Sequence, residues 1–190
     1  MEAIDRLFSQ LGLDKNALAQ FKSLLKVKSL SPKEHWIAEG TICRYLGFVI
    51  SGTIRSYVRG EDGEFNNDFY LPESFVSAYT SFLTQMPTNC NIQALAETKI
   101  AYISSEQFAL LCEADARFFK LAKHISDQFF IRKCKRETSF LKHNATQRLL
   151  MVKKMYPGIE QQISQYHIAS YLGIKPQSLS RIKLFTYVKD

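Results

Sequence analysis

The chain has 190 residues, 46% hydrophobic and 13% aromatic, with a formal net charge of +7 at pH 7. That apolar content suits a packed core and excludes a disordered chain, and the lack of an 18-residue apolar run excludes a membrane-spanning helix. Met1 to Arg6 does not have the basic-then-apolar layout of a secretion signal, so the cytoplasm is the expected location, with no membrane partner. The charge is unevenly divided. Residues 1–119 hold 11 Lys and Arg against 14 Asp and Glu, a net of −3, whereas residues 120–190 hold 14 against 4, a net of +10. A basic C-terminal third on an acidic body is the footprint of a protein that meets a polyanion, although a merely solvated basic face gives the same count.

In chain order, residues 3–26 have helical spacing: Ile4, Leu7, Phe8 and Leu11, then, after a break at Gly12, Leu18, Phe21, Leu24 and Leu25. Pro32 closes this region. From Trp36 to Ile103 short β-rich runs alternate with turns such as Ser51-Gly52, Gly60-Glu61-Asp62-Gly63 and Pro72-Glu73, the texture of a small barrel, sandwich or roll. Ser104-Ser105-Glu106 offers a helix cap. Phe118, Leu121, Ala122, Ile125 and Phe129 then make an apolar stripe on a helix expected from about Asp115 to about Leu141. A helix of that length points to a dimer seam built on Phe118, Ile125 and Phe129; the alternative is that the stripe packs on the roll. After Asn144 a shorter helix is expected over Ala145 to Met155, ending at Tyr156-Pro157-Gly158.

Four isolated cysteines, Cys43, Cys90, Cys112 and Cys134, and four histidines, His35, His124, His143 and His167, show no metal-ligand spacing. The cysteines read as small buried hydrophobes, and no metal or cofactor is expected. No nucleophile–base pair, carboxylate pair or phosphate loop can be assembled by spacing, so an enzyme is not expected.

The most informative segment runs from Ile163 to Leu184. Ile168 and Leu172 give a first short helix its inner face, and Ala169 is small where a second helix must cross. Gly173 suits a sharp turn, Ile174 plugs it, Pro176 suits the first position of the second helix, and Leu179 and Ile182 face inward. This is the pattern of a helix-turn-helix that docks its second helix in the major groove of double-stranded DNA. Gln177, Ser178 and Arg181 are the expected base-reading positions, since Gln can pair with adenine and Arg with guanine. Lys175, Lys183, Ser164, Gln165 and Tyr166 are expected to meet phosphates, which position the protein without specifying sequence.

A β-rich body, a long central helix and a terminal helix-turn-helix together resemble the Crp/Fnr-type regulators over about residues 15–184. Val49-Ile50-Ser51-Gly52-Thr53-Ile54-Arg55 looks like the family's strand-turn-strand hairpin, Leu71-Pro72-Glu73-Ser74-Phe75 is similar to the segment after it, and Ile92 to Phe108 is similar to its last strands and following helix. The resemblance implies an α+β fold: a cyclic-nucleotide-binding-like β-roll with the long dimerisation helix over residues 1–141, and a helix-turn-helix domain over 142–190. It implies a homodimer that binds DNA, with a small-molecule effector of unknown identity. Where nucleotide-binding members have Phe-Gly-Glu this chain has Phe75-Val76-Ser77, and their Arg-Ser place falls at about Thr88-Asn89. The acid and the cation are both missing, so cyclic AMP is not expected to bind. The tentative effector pocket is Phe75, Ser77, Thr88, Asn89 and Arg55, with Arg44, Arg55 or the long helix as possible sources of a cation. The redox branch's N-terminal cysteine cluster is also missing, and six residues after Leu184 are too few for the usual β-wing, so a compact helical head is expected. An interaction or sensing module that has lost DNA binding remains the alternative.

Overall fold

The computed structural model describes residues 2–187, with side chains as far as Leu184. The break at Gly12 separates helices α1 (Glu2–Gln10) and α2 (Lys15–Leu24), and the Asp14 carboxylate caps α2 by accepting the Ala17 N–H at 2.8 Å. Ile4, Phe8 and Phe21 are buried, the two phenyl rings 5.2 Å apart. Strand β1 (Lys26–Leu30) follows at once, ahead of Pro32 where a strand was not expected. Only Leu30 in it is buried, so no alternation marks it; it is held by its antiparallel register against a strand some 70 residues later.

Strands β2 (His35–Ile37), β3 (Tyr45–Ser51), β4 (Ile54–Gly60), β5 (Gly63–Tyr70) and β6 (Phe75–Val76) follow. The β3–β4 turn uses Gly52 at φ +86°, where a Cβ would lie 2.3 Å from the Glu97 carbonyl oxygen, so only glycine fits. The polar stretch after β6 holds a six-residue helix, α3 (Tyr79–Thr84), that its sequence does not announce. Strands β7 (Asn91–Ala94) and β8 (Thr98–Ser104) complete two antiparallel four-stranded sheets, ordered β1-β8-β3-β6 and β2-β7-β4-β5.

The Ser104 hydroxyl caps α4 (Ser105–Ala114) by accepting the Gln107 N–H. Helix α5 (Phe118–Lys142) has 25 residues, ~38 Å at ~1.5 Å per residue. Its stripe Phe118, Leu121, Ile125 and Phe129 is no more than 5% exposed and belongs to the roll's core. The expectation that Phe118, Ile125 and Phe129 form a dimer seam is therefore corrected: the alternative holds for that face, which is covered by its own subunit.

The chain ends in α6 (Ala145–Met155), a short α7 (Ile159–Gln162), α8 (Gln165–Leu172) and α9 (Pro176–Tyr187). Asn144 and Gln147 cap α6 reciprocally. The architecture is the expected α+β one: a β-roll, a long helix and an all-helical C-terminal head. Buried apolar residues form one cluster in the roll with α1, α2, α4 and α5, and a second in the head.

Candidate nucleic-acid interface and effector cavity

The head is built around α8 and α9. The Ser164 hydroxyl caps α8 by accepting the His167 N–H at 3.4 Å. Gly173 ends it at φ +67°, and a Cβ there would come 2.9 Å from the Phe140 ring. The Ile174 N–H returns to the Ala169 carbonyl at 3.1 Å, closing a three-residue turn into α9. Ile168, Ala169, Leu172 and Leu179 are buried where the two helices meet. One face of α9 is thus seated, and Gln177, Ser178 and Arg181 stand exposed on the other, Gln177 and Arg181 one turn apart.

Lys175, Ser164, Gln165 and Tyr166 are also exposed. Lys183 is not placed as expected. Its side chain is 15% exposed and its ammonium lies 2.6 Å from Glu160, which also pairs with Lys153 at 2.8 Å. Burial alone would raise the Glu160 carboxyl, but the two lysines hold it below its usual range. Lys183 thus joins α9 to α7 rather than facing a phosphate, because position 183 turns back toward the head while Arg181 turns outward.

The head rests on the outer face of β4 and β5. Phe69 of β5 is fully buried within the head's cluster, 5.3 Å from the Tyr171 ring and 6.0 Å from the Tyr156 ring. Around it runs a polar seat. The Ser170 hydroxyl accepts the Asn66 N–H at 3.0 Å and donates to the Glu64 carbonyl at 3.1 Å. The Asn66 amide donates to the His167 carbonyl at 3.1 Å. The Tyr156 hydroxyl donates to Asp68 at 2.5 Å, and the Arg136 guanidinium reaches the Asn66 and Tyr171 carbonyls at 3.3 and 3.5 Å. Burial pushes the Tyr171 phenol up to about 12. Sequence reasoning missed this seat, since residues about a hundred positions apart form it and no local pattern signals it.

Arg55 belongs to the seat and not to the effector pocket where it was expected. It is buried, 2.6 Å from Glu64, bonded to Gln93 at 2.7 Å and 3.4 Å from His167 Nδ1. Strand alternation explains this: Ile54 and Ser56 point into the roll, so Arg55 points out. Ser77, Thr88 and Asn89 do come together, lining a cavity of about 330 Å³ between the roll and α5 with Tyr79, Ser126 and Lys133. Phe75 is absent from that lining; its ring packs 5.2 Å from Phe48 beside a separate, larger cavity. Lys133 is the one charged side chain among the described residues lining the smaller cavity. Arg44 does not line it either.

Among the described residues no group of three or more His, Cys, Asp and Glu could hold a metal, and no helix is long and apolar enough to cross a membrane. All four cysteines are free, with Cys43 and Cys112 buried.

Residues 27–115 match the family model for the cyclic nucleotide-binding domain. Among solved structures, the chain resembles FixK2 from Bradyrhizobium japonicum at a TM-score of 0.74 and 18% identity, over 87% of this chain and 85% of that one. It resembles a CooA mutant from Carboxydothermus hydrogenoformans at a TM-score of 0.71 and 20% identity, over 96% and 84%. A third likeness is to a candidate transcriptional regulator of the crp/fnr family from Eubacterium rectale, at 0.67 and 16%, over 94% and 85%. These likenesses establish the shared fold. No curated protein sequence matches the chain.

Proposed function

We propose that this protein is a cytoplasmic DNA-binding transcription regulator of Crp/Fnr type that acts as a homodimer. A sensing domain spans residues 1–141 and a reading head residues 142–190. The observation that carries this reading is the exposed face of α9. Gln177, Ser178 and Arg181 project from a helix whose other face is seated, within a C-terminal third of net charge +10. The shared fold with regulators supports it. Gln177 and Arg181 read base edges, Lys175, Ser164, Gln165 and Tyr166 meet phosphates, and two heads on one dimer read half-sites about one helical turn apart.

The Ser77–Thr88–Asn89 cavity holds a small effector that is not cyclic AMP. A cyclic phosphate there meets only Lys133, whose exposure leaves it largely hydrated, so the desolvation of the anion is poorly compensated.

The test is selection of bound sequences from a random DNA pool by the purified protein, with the expected result a two-fold symmetric site. Arg181→Ala should then cost ~1–3 kcal/mol at that site and relax preference at one base pair. Lys175→Ala should weaken all sequences alike and reduce the slope of log K against log salt by roughly one per subunit. No enriched sequence, together with salt-independent failure to bind random DNA, would leave an interaction module in place of a regulator.

A further inference from the structure

Where α1, the roll, α5 and the head meet there is a cavity of about 740 Å³, distinct from the Ser77–Thr88–Asn89 cavity. Its size is that of a drug-sized ligand site. One wall is the α5 row His124, Gln128 and Arg132, at i, i+4 and i+8, which stacks three side chains able to donate hydrogen bonds along one helix face. The opposite wall is α1, and the floor is aromatic, with Phe48, Phe75 and Tyr156.

Two features set the charge this cavity takes. Its one carboxylate among the described residues is Glu73, already held by Arg6 at 2.7 Å. Arg132, by contrast, is poorly matched. Its side chain is 19% exposed and its Nε has no hydrogen-bond partner. Its guanidinium stands 3.8 Å from an Asp68 oxygen that already accepts the Tyr156 hydroxyl at 2.5 Å and the Phe69 N–H at 2.9 Å. The guanidinium also lies over the Tyr70 and Phe129 rings, 5.2 Å from each, contacts that use none of its N–H donors, so its fork still fits an oxygen anion.

We propose that this cavity binds a small amphipathic anion: a carboxylate, sulfonate or phosphate monoester bonded by Arg132 and Gln128, with an aromatic or branched apolar body on the floor of rings. Met155, Tyr156, Pro157 and Gln162 of the head line the same cavity, so an occupant bridges head and roll and favours the seated arrangement over one with the head displaced. Any effect on DNA rests on the regulator reading; binding itself does not.

Anilinonaphthalene sulfonate, which joins an aromatic body to an anion, is the probe, titrated by fluorescence without DNA against neutral phenylnaphthylamine. The expected result is one site per chain, with the neutral probe bound roughly tenfold more weakly. Gln128 is exposed, so Gln128→Glu should fold; it should weaken the anion about tenfold, while Gln128→Lys strengthens it. Arg132→Gln should reduce the anion to the level of the neutral probe. Asn89→Glu, in the smaller cavity, should leave binding unchanged. Equal binding of both probes, indifference to the charge at position 128, or loss on Asn89→Glu would each overturn the proposal. Because no DNA is present, failure here leaves the regulator reading intact, and an empty DNA selection leaves this one intact.

Discussion

His167 shows how one side chain reports the seating of the head. Its Nδ1 faces the Asn66 amide nitrogen at 3.3 Å and the Arg55 guanidinium at 3.4 Å. Both neighbours donate, so this nitrogen must accept, and the ring is neutral with its proton on Nε2. Burial first, then the charge of Arg55, lowers its pKa from the usual 6.5, against an opposing pull from Glu64. As pH falls through about 6.5 the unfolded chain therefore takes up the proton before the folded protein does. Stability present above that pH is lost below it. Melting temperature should fall between about pH 7.5 and about pH 5.5, and His167→Gln should make that fall smaller. An identical fall in both proteins would show that His167 does not titrate against the seat. Lys183 is likewise held by Glu160 instead of facing outward, while Arg181, two residues earlier, keeps its open face.

At the scale of elements, β5 serves two cores at once. Tyr70 faces the roll and its neighbour Phe69 faces the head, as strand alternation requires. The head's own helices supply Leu149, Val152, Tyr156, Ile168 and Leu172, but Phe69 fills the space between Tyr156 and Tyr171. Phe69→Ala should therefore cost ~3–5 kcal/mol in urea unfolding, with hydrogen-exchange protection in α8 falling most. A loss under ~1 kcal/mol, with α8 still protected, would mean that the head's core is complete without this ring. The second helix of the reader is anchored more locally, by the Gly173 turn against Phe140 and by Leu179.

For the whole molecule, the covered stripe on α5 leaves the helix's other side open to a second copy. Phe119, Phe130 and Leu141 are 57%, 69% and 81% exposed and recur every 11 residues, three helical turns apart, on one line. Each large apolar side chain left in water forgoes ~1.5–3 kcal/mol, so this line is the face we expect a second copy to cover if the homodimer proposed above forms. Sedimentation should give twice the 21.9 kDa chain mass for the wild type and the single-chain mass for the double variant Phe119→Glu, Leu141→Glu. A wild-type monomer at tens of micromolar would remove the dimer, and with it the expectation of paired half-sites.

Periodicity and turn chemistry are local, and what they govern was legible in the residues alone. The α1–α2 break at Gly12, the β3–β4 turn at Gly52, α6 from Ala145 to Met155 and the α8–α9 pair around Gly173 all follow from near-neighbour spacing, capping and allowed backbone angles. Strand β1 and helix α3 were not legible, because one buries a single residue and the other is six residues of polar and aromatic chain held by its surroundings. Of the expected effector residues, Ser77, Thr88 and Asn89 meet in one cavity. Arg55 and Phe75 do not, because which face of a strand looks inward depends on register with distant partners. The face of α5 that stays open, the seat of the head on β5 and the under-bonded Arg132 were decided only in three dimensions. Each depends on contacts between residues tens to more than a hundred positions apart, and no local pattern in a chain encodes those distances.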